Sequence, residues 1–253
     1  MKKFFIAAVC GAAALFFAGC APKYVLSDSD LTVKELEQKM SRALDPKGRF
    51  AKAQRFIQRF EVKTSTGWLE PPTEEFVEVK FAAPGNFKVT TSDDKGVHYG
   101  YIFNETGGYM IDYRKKSARP LQPQTFAHLR TMREIADPVM DLSTVFKIID
   151  IKRGSDGENQ FYILNCKTTP DSNPLEFVIS ADTCRLHSLS GKIKIGSAVL
   201  DYSSRVVNYS LVEGMRVAEL TESVTNGIKT QSKLIYFKLN PYFAPDEFKI
   251  PVF

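Results

Sequence analysis

Apolar and polar side chains alternate with a period of two through most of this chain of 253 residues. Successive side chains of a β-strand point to opposite faces of a sheet, so the pattern predicts strands with one apolar face and one face toward water. Turn residues separate the runs, and Asn226-Gly227 is typical of a two-residue hairpin. The predicted strands cover residues 56–62, 77–81, 87–89, 97–103, 109–113, 161–166, 175–179, 186–195, 205–211, 217–224 and 228–239.

Two segments with helical signals interrupt the strands. The first is predicted as a helix over residues 31–44, with Asp30 as its N-cap and an apolar stripe along one side. The second covers residues 125–149 and is divided at Pro138, because proline removes a helical hydrogen bond. This order of elements predicts a mainly β, α+β protein in which one large antiparallel sheet curls or closes.

The N-terminus has the pattern of a secretory signal. Lys2 and Lys3 precede an apolar run over residues 4–17, which is too short to span a ~30 Å hydrocarbon core. The run ends in "FAGC", residues 17–20, which resembles the lipobox of bacterial lipoproteins, although that motif prefers Leu where this chain has Phe17. In such signals the cysteine thiol receives a diacylglyceryl group and cleavage falls directly before it. An ordinary signal peptide with an incidental cysteine is the alternative.

The lipobox resemblance divides the chain into three parts. Residues 1–19 form a lipoprotein signal peptide, residues 20–29 hold the lipidated Cys20 and a tether, and residues 30–253 form a single domain. Acyl chains on Cys20 would bind membrane lipids, since two chains suffice for a stable anchor. Ala21 stands where an Asp resembles a signal for retention in the inner membrane. For a bacterium with two membranes we therefore expect an anchor in the outer membrane, facing the periplasm.

Three local patterns resemble the LolA/LolB-type lipoprotein-sorting superfamily. "EVKFAAPGNFKVTT" resembles its strand, proline turn and strand, and "YIFNETGGYMIDYR" its strand, polar glycine turn and aromatic strand. "YFKLNPYFAPDEFKIP" resembles its closing segment with Asn-Pro, an acidic residue, Phe and Pro. The resemblance implies an unclosed half-barrel that is covered by helices and binds acyl chains on its apolar concave face. Cys20 favours the lipid-anchored receptor, LolB. The soluble carrier, LolA, has a lid-holding Arg beside the first hairpin's proline, where this chain has Ala82 and Ala83.

The resemblance, together with the alternating pattern, also implies site residues. We expect the lipid-binding cavity to be lined by Phe56, Phe60, Val62, Val79, Phe81, Phe87, Val89, Tyr101, Phe103, Tyr109 and Ile111. Met132 and Met140 are expected in an adaptable lid, and Trp68 and Leu69 in an exposed apolar loop that touches membrane or cargo. Each assignment has an alternative. The helices would fill the apolar face, the methionines would be core residues, and the Trp68 loop would plug the mouth of the barrel.

Composition and motifs exclude several classes of function. The formal net charge of +5 is spread without a basic block, so no nucleic acid partner is expected. The chain lacks G-x-S-x-G, Walker-type and H-E-x-x-H patterns, and His98, His128 and His187 are isolated. We therefore expect no enzyme, no cofactor and no metal site. Three basic residues share one strand face, which is either solvated or in contact with lipid headgroups: Arg55, Arg59 and Lys63.

Two cysteines remain besides Cys20 and Cys10, at positions 166 and 184. An oxidising compartment would permit a disulfide between them. The predicted strands place Cys166 and Cys184 near opposite ends of one strand, roughly 15 Å apart, which opposes a bridge. Both states stay open at this point.

We therefore expect a lipid-anchored envelope lipoprotein that binds acyl chains or lipoproteins and acts in lipoprotein or lipid sorting to the outer membrane. Its partners would be membrane lipids, lipoprotein acyl chains or another lipid, and a periplasmic carrier protein. The main alternative is an envelope scaffold with a filled barrel and no lipid ligand. A weaker one is an enzyme acting on envelope lipids or glycans, which would need clustered titratable side chains in the cleft.

Overall fold

The computed structural model describes residues 24–66, 71–123, 126, 142–168, 172–195 and 198–253, with the backbone alone at 193–195 and 198. Within these ranges the chain forms fourteen strands and two helices. The strands are β1 Val25–Asp28, β2 Arg55–Ser65, β3 Thr73–Ala82, β4 Asn86–Asp93, β5 Gly96–Asn104, β6 Gly107–Asp112, β7 Ser117–Pro120, β8 Phe146–Ser155, β9 Gln160–Thr168, β10 Pro174–Ser180, β11 Leu186–Ile195, β12 Ala198–Val212, β13 Met215–Thr225 and β14 Ile228–Leu239. The helices are α1 Val33–Leu44 and α2 Leu142–Val145.

All fourteen strands belong to one antiparallel sheet, in the order β1-β8-β9-β10-β11-β12-β13-β14-β2-β3-β4-β5-β6-β7. Most neighbours are consecutive hairpin strands, whereas the β14–β2 pair joins the two halves of the chain. Strands β1 and β7 lie at the two ends of the order, so the curled sheet is not closed into a barrel. The predicted fold class, a mainly β half-barrel with helices on it, is confirmed. No helix in the described ranges is long and apolar enough to span a bilayer.

Helix α1 begins with a capping box. Thr32 Oγ1 accepts a hydrogen bond from the Glu35 backbone N–H at 3.3 Å, and Glu35 Oε2 accepts one from the Thr32 backbone N–H at 2.8 Å. The predicted N-cap, Asp30, is therefore wrong by two residues. Asp30 instead accepts a hydrogen bond from Arg153 of β8 at 3.0 Å.

Helix α1 packs on one face of the sheet, which we call the inner face. Its Leu36 and Met40 lie in one buried cluster with Phe177 of β10 and with α2. Residues that lie directly opposite each other on neighbouring strands have their side chains on the same face of the sheet. Leu189 of that cluster is connected in this way, through one paired residue on each of β12, β13 and β14, to Thr64 of β2. The side chains of β2 in phase with Thr64 therefore also lie on the inner face.

The start of strand β8 corrects the second predicted helical region. Residues 146–149 belong to this strand, so the prediction of helix through residue 149 is wrong at its end. Helix α2 occupies only Leu142–Val145 of that region among the described residues.

The segment before α1 is folded onto the sheet. Val25–Asp28 pairs with β8, so the prediction of a tether is wrong over these residues. Lys152 Nζ donates to Asp28 at 3.0 Å, and the ring of Tyr24 packs against that of Phe161 with centroids 5.3 Å apart. The folded domain therefore includes residues 24–29, immediately after Cys20–Lys23.

The C-terminal strap, residues 241–253, lies on the outer face of β3–β5. Lys80 and Lys88 donate to Glu247 Oε1 at 3.0 and 2.9 Å, and Asn104 donates to the Phe248 carbonyl at 2.9 Å. Burial acts to raise the pKa of the Glu247 carboxyl, but the hydrogen bonds and charges of Lys88 and Lys80 outweigh it, and the pKa is lowered. The strap is therefore held by a half-buried ion pair.

Glu247→Gln is expected to lower the free energy of unfolding by about 1–2 kcal/mol at neutral pH, because two lysines lose their charged acceptor. A carboxyl whose pKa is lower in the folded state than in the unfolded state stabilises the fold at pH values above its unfolded pKa of about 4.3. This stabilisation is lost as the pH falls through the folded-state pKa. Urea unfolding at several pH values should show the difference from wild type vanish at low pH. The exposed Glu158→Gln is the matched control, and an equal effect of both variants would contradict the role of Glu247.

Candidate binding groove

Four phenylalanines from neighbouring strands form an aromatic floor on the inner face. Each lies directly opposite the next: Phe56 on β2, Phe81 on β3, Phe87 on β4 and Phe103 on β5. Only 5–7% of Phe56, Phe87 and Phe103 is exposed, because Phe50, Leu121 and Phe126 pack against this cluster. The floor is thus a filled part of the core.

Beyond the floor the inner face stays apolar but is incompletely covered. Phe60, Val62, Val77, Val89 and Tyr101 are all half-buried. They line the inner side of a curled sheet, and we call this surface the inner groove. An apolar surface left open in this way is a candidate site for an apolar ligand.

The opposite half of the inner face is filled. Leu164, Phe177 and Leu189 of β9–β11 are at most 4% exposed under helix α1. The two halves of the half-barrel therefore differ, and the groove is confined to the β2–β5 side.

Charged side chains mark the end of the groove farthest from the floor. Glu75 lies opposite Val62, and its Oε1 is 3.1 Å from Nε2 of the buried His98. His98 Nδ1 is 3.9 Å from Asp93 Oδ2 and has no hydrogen-bond partner. Arg114 donates to the same Asp93 oxygen at 2.6 Å. Burial acts to raise the pKa of Asp93, but hydrogen bonds from Lys95 and Arg114 lower it overall. The groove therefore changes from aromatic to charged along its length.

The structure places nine of the eleven predicted cavity residues on the inner face, in the floor, in the walls or, for Val79, between them. The prediction that Tyr109 and Ile111 line the cavity is wrong. Ile111 pairs with Gly100 and Tyr109 with Ile102, which puts both on the outer face. The inner face of β6 instead carries Gly108 and Met110. The predicted Cys20, Trp68, Leu69, Met132 and Met140 lie outside the described residues.

Gln58, which was not among the predicted site residues, lies on the inner face between Phe56 and Phe60. Its neighbours on the adjacent strands are Val79 and Phe237, and only 6% of it is exposed. Its amide is not among the fully inaccessible, unpaired side-chain atoms of the described residues, of which His98 Nδ1 is the only one. The signal was present in the alternating pattern, which puts residue 58 in phase with residues 56 and 60.

The basic residues that were predicted to share one face of β2 lie on the outer face of the sheet. Arg59 lies 5.0 Å from the centre of the Phe76 ring, and Lys63 forms an ion pair with Glu61 at 2.7 Å, both on the outer face. Within the described ranges no three His, Cys, Asp or Glu side chains lie close enough to hold a metal ion.

Cys166 and Cys184 are free thiols. Cys166 lies opposite Leu175 at the start of β10, whereas Cys184 follows the end of β10, as the predicted separation required. Burial raises the pKa of the Cys166 thiol to about 12, so this thiol is unreactive.

A second depression, with a volume of about 610 Å³, lies on the outer face of β10–β13. Its lining is mixed, with Tyr24 and Val178 beside serines and an ion pair between Arg205 and Glu222 at 2.9 Å. The serines and the ion pair in this mixed lining suit an acyl chain less well than the apolar walls of the inner groove do.

No protein-family model matches the sequence, and no curated protein matches it. Solved structures do match its fold. A LolA superfamily protein from Nitrosomonas europaea superposes with a TM-score of 0.62 at 11% identity, over 87% of this chain and 98% of that chain. An outer membrane lipoprotein-sorting protein domain from Vibrio parahaemolyticus gives 0.60 at 9% identity, over 86% and 97%. A DUF1329 family protein from Desulfovibrio piger gives 0.59 at 11% identity, over 88% and 98%.

At identities this low the similarity shows the fold alone. This chain has the fold of the LolA superfamily, and the predicted resemblance is confirmed at that level.

Proposed function

We propose that this protein is a lipid-anchored lipoprotein of the bacterial envelope that binds acyl chains in the inner groove and acts in lipoprotein or lipid sorting. The observation that carries this proposal is the row of half-buried apolar side chains above the aromatic floor. The fold supports it, because one protein of similar structure is assigned to outer membrane lipoprotein sorting. The charged end of the groove suits an amphiphile, whose polar head would lie beside the Arg114 guanidinium rather than at the carboxylates of Glu75 and Asp93.

The proposed activity is transfer without a bond being made or broken. An acyl chain leaves one apolar site for another, and the difference in affinity between the two sites sets the direction of transfer. Each tenfold difference in dissociation constant corresponds to about 1.4 kcal/mol. The donor or acceptor would be a second lipid-binding protein, such as a periplasmic carrier, or the membrane itself.

Binding is tested by titrating the full chain carrying Cys20→Ser with a fluorescent fatty acid and displacing the probe with palmitic acid. Cys20→Ser removes the chain's own acyl groups as competitors. Saturable binding with displacement supports the proposal, and no displaceable binding contradicts it.

We expect the wild-type protein, but not Cys20→Ala, to incorporate radiolabelled palmitate in its host. Strand β1 ties residue 25 to the sheet, so acyl groups on Cys20 would hold the domain within five residues of the bilayer. Fractionation should then find the wild-type protein in the outer membrane and the variant released from it. Equal labelling of Cys20→Ala would contradict the lipid anchor.

The scaffold alternative rests on the filled half of the barrel, where α1 covers β9–β11. A protein that binds no acyl chain in the titration but stays anchored through Cys20 would match this alternative.

A further inference from the structure

The cavity of about 610 Å³ on the outer face of β10–β13, which we call the outer depression, is not used by the proposed function. Two rows of directly opposed residues form its base: Glu176 and Ser190 in one row, and Val178, Ser188 and Arg205 in the next. Ser188 and Ser190 belong to the middle strand of these rows, β11. Because serine side chains are short and their neighbours are longer, a hollow is left over β11.

The lining of the outer depression carries one more carboxylate than it carries cations. Arg205 donates to Glu222 at 2.9 Å, so these two charges match. Glu176 is a second, half-buried carboxylate. Burial raises the pKa of its carboxyl, with no opposing contribution from a cation or hydrogen-bond donor of the described residues. Burial lowers the pKa of His187, so this imidazole is uncharged at neutral pH. The lining therefore favours a cationic ligand.

Tyr24 forms the wall of the outer depression beside Glu176. Its ring packs against Phe161 with centroids 5.3 Å apart and belongs to the apolar cluster that contains Val178. Burial and, after it, the negative charge of Glu176 raise the pKa of the Tyr24 phenol, so the carboxylate and the ring lie near each other. A carboxylate beside an aromatic ring is a favourable environment for an ammonium group.

The other charged side of the outer depression can take an anion. Arg205 on β12 and Glu176 on β10 are two strand spacings apart, roughly 10 Å between backbones, and both line the depression. The Arg205 guanidinium has five N–H donors, and its bond to Glu222 does not prevent it from donating to a phosphate as well. A ligand lying over the serines of β11 would therefore meet a carboxylate at one end and a guanidinium at the other.

Tyr24 also relates the outer depression to the proposed anchor. Tyr24 is four residues after Cys20, and four residues of chain span at most about 14 Å. Acyl groups on Cys20 would therefore hold this wall of the depression close to the headgroups of the bilayer. A lipid headgroup with both an ammonium and a phosphate is the ligand that this position brings within reach.

We propose that the outer depression binds the ethanolamine phosphate headgroup of a membrane lipid, with the ammonium at Glu176 and Tyr24 and the phosphate at Arg205. This inference rests on the proposed lipid anchor. A primary ammonium has three N–H donors, which the Glu176 carboxylate and the hydroxyls of Ser188 and Ser190 can accept. A choline headgroup has the same charge but no N–H donor, so it would leave these acceptors unpaired.

The test compares vesicles of phosphatidylcholine with vesicles that contain an equal amount of phosphatidylethanolamine, in cosedimentation with the full chain carrying Cys20→Ser. The ethanolamine vesicles should bind at least about tenfold more tightly, the effect of one hydrogen bond to a charged group. Glu176→Gln should remove this preference, and so should Ser190→Leu, which fills the hollow. Glu158→Gln removes the same charge from the exposed turn between β8 and β9 and should keep the preference.

A soluble headgroup separates the site from other effects of the vesicles. Glycerophosphoethanolamine should compete with the ethanolamine vesicles, and glycerophosphocholine should not. Binding of glycerophosphoethanolamine without any vesicle preference would overturn the assignment to a membrane lipid. Equal binding of both vesicle types and no binding of glycerophosphoethanolamine would overturn the site itself.

These results are distinct from those that test the proposed function. The vesicle comparison uses Cys20→Ser and no fatty acid, so it depends neither on acylation nor on the inner groove. A preference that persists in Glu176→Gln contradicts the outer depression site while the anchor and the groove stand. Equal palmitate labelling of wild type and Cys20→Ala contradicts the anchor and does not change the vesicle comparison.

Discussion

Val77→Glu is expected to weaken acyl-chain binding by at least about a hundredfold, since a buried charge without a partner costs several kcal/mol. Val77 lies on β3 in the middle of the groove wall, opposite Phe60 and Thr91. A carboxylate there would have to lose its water when a chain enters. Fluorescent fatty-acid titration measures the effect.

The matched control is Val207→Glu. Val207 lies on β12, outside the groove, and is 45% exposed, so a carboxylate there stays in water and binding should be unchanged. Circular dichroism establishes that both variants are folded. Val77→Trp is a second variant that adds no charge but fills the groove, and it too should weaken binding. Wild-type affinity in both Val77 variants would show that chains bind elsewhere.

Gly191→Ala is expected to lower the free energy of unfolding by about 2–5 kcal/mol, from backbone strain and overpacking together. Gly191 has φ +148° and faces the filled half of the barrel, opposite Leu175. A Cβ atom there would lie 2.9 Å from Leu175 Cα and would also clash with the Pro174 carbonyl oxygen. Neither is the end of a flexible side chain, so the strands themselves would have to move.

Gly227→Ala gives the comparison for Gly191. Gly227 also has a positive φ, +83°, but no atom lies within 4 Å of its added Cβ. Its cost is backbone strain alone, about 1 kcal/mol. Urea unfolding of both variants measures the difference. Equal destabilisation would mean that the packing of Gly191 against β10 is not needed.

The sheet and most of the inner face could be predicted from sequence because the alternation is regular within each strand. Phe56, Phe81, Phe87 and Phe103 were each placed correctly by this pattern. The alternation within a strand does not say which face continues into the next strand, however. That depends on the turn, and a shift of one residue reverses every side chain.

The turn between β5 and β6 shows this limit. Asn104 pairs with Gly107, so Phe103 lies opposite Gly108 and Tyr101 opposite Met110. The inner face of β6 thus carries a glycine and a methionine, while the more apolar-looking Tyr109 and Ile111 lie on the outer face. Apolar character suggested the wrong face because both faces of β6 are covered.

Strand β1 and Gln58 were missed for different reasons. Val25–Asp28 has no alternation to recognise, since it is an edge strand whose residues are all exposed, and only its pairing with β8 defines it. Gln58 was in phase with the apolar face, but a polar residue is not expected there from sequence. Its burial is visible only in three dimensions.

Native mass spectrometry of the gently purified protein tests acyl-chain binding in the inner groove most directly. The Cys20→Ser protein should appear with the added mass of a bound lipid, and collisional activation should release that lipid. The same protein carrying Val77→Glu should appear without the added mass. The account would be contradicted if the Cys20→Ser protein appeared only at its own mass, with no bound lipid, and if the same preparation also bound no added fatty acid.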